Sequence, residues 1–310
     1  MATESAFSGN PADCVAGRVR AYCMALALLF SCSAQAIGTL EKIAQTGTVT
    51  LGYRDSSPPF SYLNENRNPI GYSLDLCLKV VDALKRELKR PDLAVKFALV
   101  SSASRITALT SGEIDLECGS TTSSAERSKQ VAFTIPTFLA ATRLMVRGDS
   151  EIRSLANLAR KTVVTTKGTS SEKLFDSLNQ GRTLRATLLL GKDHFESFAL
   201  LEAGKADAFI MDDVLLYSLR ATAKDPAKYV ITNDALTIEP LSLMLRKDDP
   251  AFKKAVDGEI VRIIVQGEIN AIYRKWFESP IPPKQINLKL PMSYILRDSF
   301  KAPADWVVPN

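Results

Sequence analysis

Histidine is almost missing from this chain: 310 residues carry one, His194. Five cysteines and two tryptophans are the next scarcest residues. With one histidine and no CxxC or Cys/His spacing, a zinc site has no ligand set. A formal net charge of +5, with no basic run standing out, is too mild and dispersed for a nucleic-acid surface. It modestly favours anionic small molecules, although a solvated mixed surface explains it equally well. Outside the N-terminal region no stretch approaches the ~18 apolar residues of a membrane span. Low-complexity segments and close internal repeats are also missing.

What is present begins with a leader. Arg18 and Arg20 precede an apolar run from Ala21 to Phe30, and Ala34-Gln35-Ala36 is a small-x-small cleavage site. That layout is a secretory signal over residues 1–36, too short for a stable membrane span, and it predicts an exported, periplasmic chain. Leu29-Phe30-Ser31-Cys32 resembles a lipoprotein box only faintly, because phenylalanine beside the serine is atypical there. Cleavage removes Cys14, Cys23 and Cys32 and leaves Cys77 and Cys118. An exported compartment allows those two to pair; two buried free thiols are the alternative. About 270 residues remain, enough for two domains with separate cores.

Short apolar runs then alternate with amphipathic ones, the pattern of α/β layers. A helix is expected from Leu40 towards Gln45, stopped at Gly47, and a strand over Thr48 to Tyr53 broken by Ser56 to Pro59. Phe60 to Leu63 and Ile70 to Tyr72 flank a polar turn, as in a hairpin. Leu76, Val80, Val81, Leu84 and Leu88 repeat at helical spacing within Leu74 to Leu88. A strand over Leu93 to Val100 precedes a helix capped by Ser102 or Ser104 and ending at Gly112. A second series follows: strands over Thr162 to Thr165, Ala186 to Leu190 and Ala208 to Met211, with helices from Ser170, Phe195 and Val214. Extended crossings near Thr137 to Arg143 and Asp234 to Leu241 join the two series, and a double crossing is a natural hinge. The predicted fold is two α/β lobes on a two-strand hinge. Residues 37–139 and 238–310 form lobe 1, and 140–237 form lobe 2.

One theme recurs: strand end, polar donors, helix start. In open α/β sheets ligands sit beyond the carboxyl ends of strands, so such positions can converge on one cleft. Arg54 follows the first strand, and Ser102 with Arg105 opens the next helix. After the strand Ile114 to Glu117 comes a hydroxyl-rich stretch with Ser120 and Thr122, read as a turn, and then a helix start carrying Arg127. In the second series Thr169 and Ser170, His194, and Asp212 occupy the same kind of place. Backbone N–H groups, hydroxyls and planar guanidinium forks suit a carboxylate. Three arginines and a histidine facing one carboxylate suit a ligand with two negative groups and one amine. Each position also has a plainer reading. Arg54 and Arg105 can be surface arginines in weak ion pairs, Thr169 and Ser170 ordinary helix caps, and His194 a solvated loop residue. Asp212 with Asp213 can favour the positive end of a helix, and Phe60 reads as core before it reads as a ligand floor.

Several stretches together resemble the periplasmic solute-binding proteins of polar amino-acid ABC transporters, in their glutamate/aspartate-binding branch. They are Gly52 to Ser57, Gly71-Tyr72-Ser73 with Asp75, Ser102 with Arg105-Ile106, Glu117 to Thr122 with Glu126-Arg127, and Gly168 to Glu172. Further on are Lys192-Asp193-His194, Met211-Asp212-Asp213 and Pro280 to Lys284. The resemblance implies that Arg127 pairs with the α-carboxylate of the ligand, helped by Thr122 and the helix start at Ser170, and Thr169 is a further ligand-binding candidate. Asp212 would take the α-ammonium, with Ser120 or Thr122 as a further acceptor. Arg54, Ser102, Arg105 and His194 would hold the side-chain carboxylate. A cysteine found in some relatives near the second crossing is here Leu243, so their disulfide to the Cys118 position cannot form, and Cys77 is the expected replacement partner.

The implied function is non-catalytic: a monomeric receptor that closes on L-glutamate or L-aspartate, uses no cofactor, and delivers its ligand to a membrane permease. An enzyme on the same scaffold, like the dehydratases that resemble these proteins, is the alternative, since fold does not settle function. It would need His194 or Asp212 as acid or base, yet the surrounding arginines are expected to hold Asp212 ionised and to disfavour protonated His194. A ligand-gated channel core would require membrane spans.

Overall fold

Alternating apolar residues make Phe138–Arg147 and Thr237–Arg246 into strands of ten residues each. They pair antiparallel, Thr237 opposite Thr142 through Leu241 opposite Phe138, in the middle of the main sheet. The two crossings expected from sequence are therefore hydrogen-bonded to one another. In the computed structural model, residues 37–181 and 184–307 are described. The expected leader, with its cleavage site and Cys14, Cys23 and Cys32, lies outside the described residues. Residues 1–37 and 38–310 separate as two units, and every element below belongs to the second.

From the central pair the sheet extends both ways, giving the two-lobed α/β layout. On one side Leu116–Thr122, Thr48–Tyr53 and Ala94–Leu99 follow in order; on the other come Ala208–Asp212, Thr162–Thr166 and Thr187–Gly191. The outer strands on each side run parallel, as connections through helices require. Their ends point polar residues towards the central pair from both sides.

Helix Tyr72–Glu87 begins two residues before the expected Leu74, because Gly71 permits the turn. Gly71 has φ 145°, and a Cβ there would lie 2.1 Å from the carbonyl oxygen of Phe60, so no other residue fits. The helix buries Leu76, Cys77, Val80, Val81 and Leu84, as its spacing predicts. Ser73 donates to the Gly119 carbonyl at 2.7 Å, and Asp75 accepts from the Trp276 indole at 2.7 Å. Phe60 is core: its ring packs edge-on to Tyr72, Phe138 and Phe277, with Tyr273 stacked on Phe277. The predicted hairpin is part of a three-stranded sheet, Ser56–Ser57, Ser61–Leu63 and Pro69–Ile70, with Tyr72 already helical.

The largest departure concerns the hydroxyl-rich stretch. Residues 116 to 122 are one strand, and Ser120 and Thr122 lie on it rather than in a turn. It pairs parallel with Thr48–Tyr53 only at Leu116 and Glu117, then antiparallel with the crossing strand, Thr121 opposite Ser242 and Thr122 opposite Leu241. Partners some 120 residues away supply the ladder that local propensity does not suggest. Arg127 likewise sits on a single 3-10 turn, Arg127–Lys129, instead of opening a longer helix.

Cys77, on the long helix, and Cys118, on this strand, form a disulfide with S–S 2.11 Å and both residues fully buried. It closes a loop 41 residues apart in sequence, for which chain entropy gives about 2–4 kcal/mol. Thiol counting on denatured, unreduced protein purified from the periplasm is expected to find no free thiol in a chain beginning at residue 37, and two after reduction. Reduction should lower the midpoint of denaturation; two thiols before reduction would show the pair to be open.

Candidate functional site

Strand ends and helix starts bring most of the predicted residues to one place. Ser102, Arg105, Ser120, Thr122, Thr169, Ser170, His194 and Asp212 line a single small cavity, closed by Met211 and Leu215. Arg54, 1 % exposed, packs its Cγ 3.0 Å from where a Cβ on Gly119 would stand and acts on His194 of the cavity wall through its charge. Arg127 faces an adjoining open groove that shares Thr122 and Ser170 with the cavity. Neither arginine is a surface residue, and Arg105 is 2 % exposed.

What these groups bond to divides them. All three guanidinium nitrogens of Arg54, Nε of Arg105, Oγ of Ser102, Oδ1 of Asp212 and Oε1 of Glu117 are buried and bond to no group among the described residues. Each such group costs roughly 1–3 kcal/mol if left so. By contrast Thr169 donates to the Thr166 carbonyl at 2.7 Å and accepts from Glu172 N–H at 3.2 Å, so its hydroxyl serves as a helix cap. Arg127 is held on both sides of the cleft, donating to the carbonyls of Thr122 at 2.9 Å and Gly168 at 3.3 Å. Asp212 ends its strand and precedes helix Asp213–Thr222, but its side chain makes no cap bond.

Two buried carboxylates were not among the candidates. Glu239, on the second crossing strand, accepts from Thr122 and Ser170 at 2.7 Å each and from Thr237 at 2.9 Å and Thr142 at 3.2 Å. It therefore bridges hydroxyls from both flanks of the cleft. Its signal was a lone carboxylate in an apolar strand. Glu117, fully buried, accepts from Thr121 at 2.7 Å, and Thr121 accepts from Arg105 at 2.6 Å. The cluster thus carries three guanidinium groups against three carboxylates, not one.

A family model for bacterial extracellular solute-binding proteins, family 3, matches residues 49–279. The chain belongs to this family. It is 48 % identical over 269 residues to the L-glutamate/L-aspartate-binding protein of Pseudomonas aeruginosa, covering 86 % of this chain and 89 % of that one. It is 43 % identical to the glutamate/aspartate import solute-binding protein of Escherichia coli, covering 86 % and 88 %. Among solved structures it resembles an ancestral amino acid-binding protein, a precursor of cyclohexadienyl dehydratase, at 27 % identity and TM-score 0.66, over 77 % of this chain and 99 % of that one. These relatives bind solutes, and this solute-binding protein is likewise a receptor and not an enzyme. Its fold is the two-lobed α/β fold of type II binding proteins. Among the described residues no cluster of His, Cys, Asp and Glu could hold a metal ion. No described helix is long and apolar enough to cross a membrane.

Electrostatics in the site of this solute-binding protein follow burial first. Burial, then repulsion by Arg105, brings Arg54 down to about 10, with Glu117 opposing. The same two causes bring Arg127 to about 9 against Glu239, Asp212 and Glu117. Both stay cationic at neutral pH. His194 is held well below the ordinary imidazole value by burial and then by Arg54 and Arg105, as expected from its neighbours. Asp212 departs from expectation. Burial, then Glu239 and Asp213, raises it well above the usual carboxylate range, and Arg127 and Arg105 do not prevail. Burial and Glu239 together outweigh the arginines that the residue pattern sets beside it.

A carboxyl whose folded value is raised stabilises the fold fully below its unfolded value near ~4, and that contribution is lost as pH rises through the folded value. Asp212→Asn is therefore expected to stabilise the ligand-free protein at neutral pH. The gap should widen from pH 5 to pH 8, reaching about 2 °C or more in Tm. Thermal denaturation across pH checks this; a pH-independent gap would remove Asp212 as its source.

Proposed function

We propose that this solute-binding protein captures L-glutamate or L-aspartate and presents it to the membrane permease of an ABC transporter. One observation carries the reading: buried donors of Arg54, Ser102 and Arg105 and the buried acceptor Oδ1 of Asp212 have no partner among the described residues. An α-amino dicarboxylate supplies acceptors to the first set and an ammonium to the second. Arg127, Thr122 and the positive end of helix Ser170–Gly181 are assigned to the α-carboxylate, with Ser120 and Thr169 completing the wall. The functional relatives named for glutamate and aspartate support the same ligand class.

We assign 37–139 and 238–310 to lobe 1 and 140–237 to lobe 2, with residues 1–36 as the cleaved leader of a periplasmic, monomeric protein. Closure holds the ligand because only the closed state offers both sets of contacts. Contacts across the cleft support this: Arg127 to Gly168, Thr122 to Ser170, and Lys173 to Glu126. Gly168, at φ 81°, packs so closely on Ser102 and Ala103 that a Cβ would lie 2.7 Å from their backbone.

Four variants and one ligand pair test the assignment by calorimetry. Arg127→Ala should abolish binding of every amino acid. Arg54→Ala or Arg105→Ala should weaken acidic ligands chiefly, by about 3–5 kcal/mol, and narrow their advantage over glutamine. In the unaltered protein glutamine should bind ~10⁴-fold more weakly than glutamate, because its amide hydrogens oppose guanidinium hydrogens. Equal affinity for the two would sink the acidic-ligand reading. Gly168→Ala should weaken all ligands alike, since it obstructs closure and not recognition.

A further inference from the structure

His194 is the only histidine in the chain, 1 % exposed, and opens helix His194–Glu202 at the cavity wall. Its Nδ1 lies 2.8 Å from Thr166 Oγ1, which lies 2.8 Å from Ser197 Oγ, which lies 2.9 Å from the carbonyl oxygen of Asp193. A carbonyl only accepts, so this row of contacts has a direction. Ser197 donates to Asp193, Thr166 donates to Ser197, and Thr166, its one hydrogen committed, accepts from Nδ1. The opposite order leaves Ser197 and the carbonyl oxygen facing each other without a hydrogen and makes one bond fewer. Neutral His194 is thereby fixed as the Nδ1–H tautomer. Its other nitrogen, Nε2, carries a lone pair and has no hydrogen bond to any of the described residues.

A lone pair cannot face a carboxylate. Glutamate also brings its side-chain carboxylate in beside this buried ring, and a proton taken up there offsets the added charge.

We infer that His194 takes up one proton from solvent at Nε2 when the acidic ligand binds, so that dicarboxylate and proton are captured together. This rests on the acidic-ligand reading. The proton adds to Nε2, the imidazolium then donates there to the side-chain carboxylate, and Nδ1–H keeps its bond to Thr166. A neutral ligand needs no such proton, because an amide N–H donates to the Nε2 lone pair directly. The protonation state of His194 thus sets preference for acid over amide. Charged groups on the elements packed around the ring are few. Arg54 and Arg105 disfavour the imidazolium. Asp212 lies on the same cavity wall, and Asp55 and Glu117 act on Arg54. Asp193 accepts from Glu196 N–H at 2.8 Å, Glu196 accepts from Lys192 N–H at 2.6 Å, and Arg143 pairs with Asp213 at 3.4 Å. The ligand carboxylate is the added charge that reverses the balance.

Because there is one histidine, tag-free protein labelled with ¹⁵N-histidine gives one imidazole in long-range ¹H–¹⁵N spectra. Without ligand the spectrum should show a neutral Nδ1–H ring at pH 7, and with saturating L-glutamate both nitrogens protonated. Ser197→Ala, which frees the Thr166 hydrogen for Nδ1, should move the ligand-free ring towards Nε2–H. The ratio of glutamate to glutamine affinity should fall by up to ~tenfold per pH unit on the alkaline side, a ratio from which Asp212 cancels because both ligands carry the ammonium. Glutamate binding with a ring that stays neutral overturns the inference alone, as does an Nε2–H ring in the ligand-free protein. No binding of either acid overturns the ligand reading and the inference with it.

Discussion

Three guanidinium groups buried within one cluster are the constraint on which the rest of the site depends. Like charges out of water repel strongly and are tolerated only where carboxylates and hydrogen bonds compensate. Here compensation is partial. Glu117 reaches Arg105 through Thr121, and Arg127 is met by two carbonyls from opposite sides of the cleft. The guanidinium of Arg54 has no hydrogen-bond partner among the described residues. The cluster is left short of acceptors at Arg54 and Arg105 and short of donors at Asp212 and Glu117. In the proposed reading a ligand of complementary charge makes good that shortage.

Much of this arrangement was legible from sequence because strand ends, polar donors and helix starts are local patterns. Nine of ten candidate positions are predominantly buried, and eight share one cavity. What was not legible depended on distant partners. Ser120 and Thr122 read as a turn because nothing local shows that residues 237 to 246 will offer them an antiparallel ladder. Glu239 passed as part of a hinge strand, yet its four hydroxyl partners come from 142, 237, 122 and 170, a set no spacing rule assembles. The error over Asp212 followed first from its burial, which a count of charges leaves out, and then from missing Glu239.

Several residues in the stretches that suggested the family have structural work instead. Gly71 lets the chain pass the Phe60 carbonyl, Ser73 ties the long helix to Gly119, and Asp75 anchors Trp276. The helix they start carries Cys77 to Cys118, so the strand presenting Ser120 and Thr122 is fastened from behind. A motif shared with a family therefore mixes residues that meet ligand with residues that hold the presenting strand still, and only the bonding of each side chain separates them.

Glutamate and glutamine differ in one hydrogen-bonding pattern and almost nothing in size, so shape cannot separate them well. Hydrogen count can. Arginine is donor-only and fixed, which makes it sound for excluding an amide hydrogen but unable to adapt. Histidine adapts, because its second nitrogen is donor or acceptor according to one proton. In the proposed reading a single histidine stands beside two arginines with its first nitrogen committed through Thr166 and Ser197 to a backbone carbonyl, so that one proton is the variable at the side-chain end of the site. Selectivity built this way follows the medium as well as the protein, because the solution supplies the proton and the ligand carboxylate decides whether it stays.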